Sequence, residues 1–248
     1  MKNFGELSLF ESDKDIVIKI DEFIEFYKNR PLSENHGGCL SINMFYTWFI
    51  FNKIKPKYVI ESGIFQGQGT WLIENIESKP KVFAIDPLPQ QRLYISPNVK
   101  YTTQDFLTFT NDNISKDRAK ETMIYFDDHQ DQYKRLNHAY SLGFKHIMLD
   151  DNYPKYCGRR HISIDACLNN SSDKGYILPK NAKEDLKNII STYYICTPLF
   201  RYHPSISMEE SYLTDWIMVE MPYDKPQWKI LQDDMHNYRW TTYIKLKE

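Results

Sequence analysis

Apolar and aromatic residues Ile16, Ile20, Phe23, Ile24 and Tyr27 recur at three- and four-residue intervals. This spacing predicts an amphipathic helix over 15–27, ended by a loop with Pro31, Gly37 and Gly38. Ser41 is placed to cap a second helix running to about Lys53, and Pro56 separates it from Tyr58-Val59-Ile60, an apolar run that reads as a buried strand. The period then switches repeatedly. Helices are predicted over about 69–76 and over 130–142, and strands over 82–85, 99–102, 122–126 and 146–149. Short apolar strands separated by helical patterns indicate parallel pairing through crossover connections. The fold class is therefore α/β, a doubly wound, mostly parallel sheet preceded by helices. Past Asn152 the pattern is less regular, with a helix predicted over 182–194 and a last, alternating and antiparallel strand over 241–246. No linker interrupts the chain, so 1–248 reads as one domain: an N-terminal helical or lid segment (1–55), a core (56–153) and an acceptor-side part (154–248).

Composition narrows the function classes. With 42% hydrophobic and 26% charged residues among 248, the chain is neither disordered nor fibrous. Its 31 Lys and Arg against 33 Asp and Glu leave a net charge of −2, so no positive field argues for nucleic acid or an anionic membrane. The implied partner is a small molecule, which is compatible with a homo-oligomer. Cys39, Cys157, Cys167 and Cys196 are too far apart for a Cys-x-x-Cys motif, and the N-terminus is charged from Lys2 with no apolar signal core. A reducing, cytoplasmic location follows as an expectation. The longest nearly apolar run, residues 44–51, is too short for a membrane span.

The segment Glu61-Ser62-Gly63-Ile64-Phe65-Gln66-Gly67-Gln68-Gly69-Thr70 follows a buried strand and opens a helix. In that context glycines let backbone approach a ligand, and the helix start offers free amide donors. The spacing Gly63, Gly67, Gly69 is not Gly-x-Gly-x-x-Gly, and Glu61 at the strand end would repel a pyrophosphate. A carboxylate there suits a cationic amino group. Asp86, after the second strand, is placed to take both hydroxyls of a ribose, and Asp105, beyond the third, to accept from an adenine amino group.

Over roughly residues 40–153 this pattern resembles the class I S-adenosylmethionine-dependent methyltransferases, whose first motif, acidic-x-Gly-x-x-x-Gly, falls on Glu61 to Gly67. The resemblance implies a Rossmann-like fold, with Glu61, Gly63, Gln66, Gly67, Thr70, Asp86, Asp105 and Asp127 around the cofactor. Two more strands end in acids, Asp127-Asp128-His129 and Asp150-Asp151. Carboxylates converging at one sheet edge need a counter-ion, and hard oxygen ligands suit Mg²⁺ or Mn²⁺. This second pattern is similar to the metal-dependent sugar O-methyltransferases of the macrolide and aminocoumarin type. By position, that similarity makes Asp127, Asp150 and Asp151 the metal ligands and puts His129 at the base, where the family has an acid. Asp128 is expected to point away or to orient a neighbour. Asp128 and Asp131 also suit a helix N-terminus, while His138 and His146 read as ordinary helix-face and strand-end residues.

The acceptor side is drawn from His36 in the N-terminal loop, Asn152 and Tyr153 after the metal strand, and Arg159 and Arg160, whose guanidinium groups suit a diphosphate. Trp216, Trp228 and Trp240 are more safely core than sugar platforms. The resemblance implies O-methylation of a sugar hydroxyl, on a nucleotide-linked sugar or a surface glycan unit. A Mg²⁺-dependent catechol-type methyltransferase and a non-catalytic protein that keeps the fold are the alternatives.

Overall fold

The computed structural model describes residues 3–6, 16–34, 38–110, 112, 114–154, 161–170, 177–196, 225–232 and 240–248. His36, Cys157, Arg159, Arg160 and Trp216 lie outside the described residues.

Among the described residues two helices come first, α1 (Ile16–Tyr27) and α2 (Ser41–Ile54). The α2 sequence is apolar on nearly every side, and Ser41 to Phe51 are all buried, as expected of a helix packed on all faces. Ser41 is not its cap. Leu40 occupies that position, and the Ser41 hydroxyl donates to Leu231 O at 2.9 Å. The alternation then runs β1 (Tyr58–Ser62), α3 (Gln68–Asn75), β2 (Lys81–Ile85), β3 (Lys100–Thr102), α4 (Lys116–Lys120), β4 (Thr122–Phe126), α5 (Gln132–Ser141) and β5 (His146–Leu149). After it come α6 (Ile164–Leu168), α7 (Ala182–Ile189), β6 (Ile190–Ile195), α8 (Lys229–Gln232) and β7 (Thr242–Leu246).

The helix predicted over 182–194 is in fact a helix followed by a strand. Ile190 to Ile195 contain Ile, Thr and Tyr, whose branched or aromatic side chains fit a pleated surface, and pairing with β7 decides between the two forms. The last strand does not alternate: β7 lies between β5 and β6 and is buried almost throughout.

The seven strands among the described residues form one sheet in the order β3-β2-β1-β4-β5-β7-β6, parallel except that β7 runs antiparallel to β5 and β6. Strand residues divide between two cores with period two. Val59, Ala84, Met123, Tyr125 and Met148 join one core with α1 and α2, while Ile60, Ile85, Ile124, Phe126, Ile147 and Leu149 join the other with Leu136, Leu168 and Leu186. Helices on both faces explain why these strands are continuous apolar runs. Phe4 forms an antiparallel bridge to Tyr193 and so covers part of the β6 edge. No helix among the described residues is long and apolar enough to cross a membrane.

Strand order reverses between β1 and β4, and in such sheets ligands bind where the order reverses, beyond the carboxyl ends. Main-chain ladder bonds carry the register one step past the strands: Gly63 N to Ile85 O (2.9 Å), Asp86 N to Thr102 O (3.1 Å), Asp127 N to Ser62 O (2.8 Å) and Asp150 N to Phe126 O (2.8 Å). Residues far apart in the chain are thereby aligned along one edge.

Candidate functional site

The loop after β1 turns sharply because Gly63 has φ +96°, and it packs directly on the turn after β4: a Cβ at Gly63 would lie 2.2 Å from Asp127 O. Only glycine fits there. Gly67, at φ +94°, precedes α3, and a Cβ on it would meet Tyr94 O at 2.7 Å.

Glu61 is buried under this loop, and Thr70 donates to its Oε2 at 2.5 Å. Burial raises its pKa to about 8, against the opposing pull of the Thr70 hydroxyl. Gly38, Glu61, Gly63, Gln66, Gln68 and Asp127 line a small recess. The amide oxygens of Gln66 and Gln68 are buried there without a hydrogen-bond donor. One carboxylate and two unsatisfied acceptors suit a cationic, donor-rich group such as an ammonium. A second hollow, at Pro56, Thr122 and His146, lies at the opposite, amino ends of β1, β4 and β5 and takes no part in this crevice.

Asp86 behaves differently from expectation. Its Oδ2 accepts from Ile64 N (2.8 Å) and Phe65 N (3.0 Å), and its Oδ1 from Leu88 N (2.7 Å). A carboxylate has about four acceptor positions, so one remains, on Oδ1. That is too few for both hydroxyls of a ribose in the bidentate manner read from the sequence. Asp86 holds the glycine loop against the end of β2.

Asp105 is also committed. Its two oxygens face Arg135 Nη1 and Nη2 at 2.6 and 2.7 Å, and Oδ1 caps a 3₁₀ turn through Leu107 N at 2.8 Å. The Arg135 hydrogen bonds hold its pKa below the usual range, against its partial burial. Arg135 Nη2 also reaches Asp128 Oδ2 at 2.9 Å, and Ser62 Oγ donates to the same oxygen at 2.6 Å. Asp128 therefore orients neighbours, as anticipated, in a chain linking β1, the β4 turn, α5 and the β3 edge. Asp131 caps α5 through Lys134 N at 3.1 Å.

The group of side chains able to share an ion differs at one position from the set that the resemblance implies. Asp127, His129 and Asp151 each offer a ligand atom, all within 4.8 Å of one another, and His129 Nε2 pairs with Asp151 Oδ2. Asp150 is not in this group. Its Oδ1 accepts from Asn43 Nδ2 (2.7 Å) and Thr241 Oγ1 (2.9 Å) in the buried interior. Adjacent residues leaving a strand diverge, so of the pair only Asp151 turns to the cluster. His129 and Asp151 both have positive φ, 52° and 54°, as does Phe65 at 48° in the glycine loop. Non-glycine residues in this region cost of order 1–3 kcal/mol each and gather at functional sites.

Asn152 is a second departure. Its Nδ2 donates to Tyr193 OH and Thr242 Oγ1, both at 2.9 Å, and its Oδ1 accepts from Asp165 N at 2.9 Å, so this fully buried amide braces the fold. Tyr153 stays beside the cluster, its ring 6.5 Å from His161 and 5.3 Å from Trp240. Trp228 and Trp240 are core residues. His138 bonds Phe109 O (3.0 Å) and His146 bonds Tyr243 OH (2.8 Å), both with ordinary structural roles.

Sequence reasoning missed Arg135, Ser62 and His161. Arg135 sits within the helical pattern, and nothing in its spacing marks it as a partner of two acids. His161 was passed over beside Arg159 and Arg160, yet its ring is buried next to His129.

No family model matches the sequence, and no curated protein matches it. Solved structures do align with it. An O-methyltransferase from Bacillus cereus in complex with SAH is 11% identical, with 98% of this chain and 95% of that one covered and a TM-score of 0.47. The structure titled cmcI-D160 Mg-SAM is 13% identical over 64% of this chain and 65% of that one, with a TM-score of 0.44. The plantazolicin methyltransferase BpumL, with a desmethyl analogue and SAH, is 12% identical over 97% and 94%, with a TM-score of 0.43. The chain spans only 64–65% of the length of two CmcI structures it matches. At such identities the likeness concerns fold alone. On its own strand order, the chain has the doubly wound, Rossmann-like fold expected of the class I methyltransferases it resembles.

Proposed function

We propose that the chain is an S-adenosylmethionine-dependent, divalent-metal-assisted O-methyltransferase acting on a sugar hydroxyl, nucleotide-linked or within a glycan. The observation that carries this reading is the shared crevice: the recess with Glu61, Gln66 and Gln68 and the Asp127, His129 and Asp151 cluster meet at the β1/β4 reversal.

The residues present fit both groups. Glu61 and the two orphaned amide oxygens would receive the amino group of the cofactor. Asp127, His129 and Asp151 would hold the ion. This assigns His129 to the ion and not to proton removal. When bound, a divalent ion lowers the pKa of a coordinated hydroxyl, so the chain itself need not supply a strong base. What remains for the protein is to bring the acceptor oxygen in line with the methyl group and to exclude water. Tyr153, and Arg159 and Arg160 outside the described residues, are assigned to the acceptor side.

The test is calorimetric titration of the intact chain with S-adenosylhomocysteine, with and without divalent ion, followed by methyl-transfer assays on nucleotide sugars and on catechols. Micromolar binding with transfer to sugars supports the reading. Transfer to catechols alone favours the catechol-type enzyme, and no binding at all leaves the non-catalytic protein.

A further inference from the structure

Gln132 is the first residue of α5 and is 3% exposed. Its side-chain Nε2 donates to Asp150 O at 2.9 Å, its Oε1 accepts from Ile164 N at 3.2 Å, and its main-chain N–H donates to Ile162 O at 2.9 Å. A buried amide whose donor and acceptor both meet main chain fixes the segments it touches, because moving either one leaves a polar group dry and unpaired. The segments are those of the ion site. The turn carrying Asp127 and His129 leads directly into α5, where Asp131 caps the helix, and Asp150 O belongs to the peptide that precedes Asp151. One side chain therefore ties the turn after β4 to the turn after β5. Asp151 needs such a tie. Its φ of 54° is a sparsely populated conformation, which persists only where the surroundings hold it. The neighbouring peptides are held by Asp150 N donating to Phe126 O and by Tyr153 N donating to Asp151 O, both at 2.8 Å, and the peptide between Asp150 and Asp151 is held by Gln132.

We propose that Gln132 is a positioning residue of the ion site: through Asp150 O it sets where the Asp151 carboxylate stands relative to Asp127 and His129. It touches neither ion nor substrate. Asp127, His129 and Asp151 offer ligand atoms within 4.8 Å of one another, and that closeness depends on two turns that belong to different strands. Partners that orient the ligands of an ion govern its affinity nearly as much as the ligands themselves. Gln132 acts on the carboxylate side of the set, so its effect should pass through Asp151 alone. The inference rests on the ion site of the preceding reading, but not on its cofactor or acceptor.

The experiment is titration of the full chain with Mn²⁺, read by the electron paramagnetic resonance of free and bound ion, in a double-mutant cycle of Gln132→Met and Asp151→Asn. Methionine fills nearly the same volume and makes neither side-chain bond. Gln132→Met is expected to weaken Mn²⁺ binding about tenfold and to change the spectrum of the bound ion, while S-adenosylhomocysteine affinity, measured separately, changes less than about twofold. With Asp151→Asn already present, Gln132→Met should cost no further Mn²⁺ affinity, because a residue that acts through Asp151 has nothing left to position. Unchanged Mn²⁺ affinity in Gln132→Met overturns the proposal, as do losses that simply add in the double variant. Equal losses of Mn²⁺ and S-adenosylhomocysteine overturn it too, since they mark a general loosening of the crevice. Should Gln132→Met fail to fold, Gln132→Asn carries the same cycle, because it keeps the amide but withdraws it from Asp150 O by one methylene. An intact chain that binds no Mn²⁺ sinks the ion site itself and this inference with it, whereas an intact chain that binds Mn²⁺ as tightly as its Gln132 variants sinks the inference alone.

Discussion

His129 and Asp151 leave the ends of neighbouring strands, both with left-handed backbone, and their side chains meet across them, the carboxylate buried and the imidazole half exposed. The pair sets the width of the candidate ion site. Each residue holds a conformation that costs free energy, and the ladder bonds past β4 and β5 hold the two turns in place. Asp151→Asn is expected to lower divalent-ion affinity by about tenfold or more, while S-adenosylhomocysteine binding changes less than about twofold. Isothermal titration with each ligand checks this, and equal losses for both would mean that the change disturbs the whole crevice.

Glu61 carries a pH dependence of unusual sign for a carboxylate. Its pKa is raised from 4.5 to about 8 by burial, so between those values the folded chain keeps a proton that the unfolded chain has released. The Glu61 contribution therefore weakens folding progressively as pH rises from about 4.5 through 8. In Glu61→Gln the fall in melting temperature over that window should be shallower than in the intact chain. Parallel curves would show that Glu61 does not titrate in this range.

The same proton reports on ligand chemistry. A cationic amino group docking beside Glu61 favours its ionised form, so binding near pH 7 should release close to one proton. Titration of S-adenosylhomocysteine in buffers of different ionisation enthalpy measures the number directly. No release would place the amino group elsewhere.

Gly63→Ala is expected to destabilise by more than the roughly 1–3 kcal/mol of backbone strain, because its Cβ would lie 2.2 Å from Asp127 O and neither backbone can yield without breaking ladder bonds. Urea unfolding gives the value, and a loss under 1 kcal/mol would mean that the β1 and β4 turns separate easily.

Arg135→Met should cost about 3 kcal/mol, the lower end for breaking a buried ion pair, because Asp105 is half exposed while Asp128 is nearly covered. Asp105→Asn should cost clearly less. Chemical denaturation of both variants compares them, and equal costs would argue against Arg135 as the link between the two acids.

Much of the fold was legible because its parallel strands are buried on both faces and so appear as short apolar runs: β4 and β5 match their sequence bounds, and the others differ by one or two residues. The exception was β6. Its residues can satisfy either a helical or an extended spacing, and only the partner strand β7 chooses. The sharp turn that Gly63 and Gly67 make between β1 and α3, with Glu61 before it, was legible because glycines between a strand and a helix mark positions that need positive φ.

The sequence by itself determined which residue types stand at the carboxyl ends of the strands, since strand ends follow from local patterning: a glutamate and glycines after β1, acids after β2, β4 and β5. Which way each side chain turns, and who already occupies it, was decided only by tertiary structure. Asp86 is taken by loop amides, Asp105 by Arg135, Asp150 by Asn43 and Thr241, and Asn152 by Tyr193 and Thr242. His129 and Asp151 face each other, with His161 buried beside them. The physical reason is that hydrogen bonds and ion pairs depend on distance in space, and their partners here come from distant segments that meet only when the sheet is assembled.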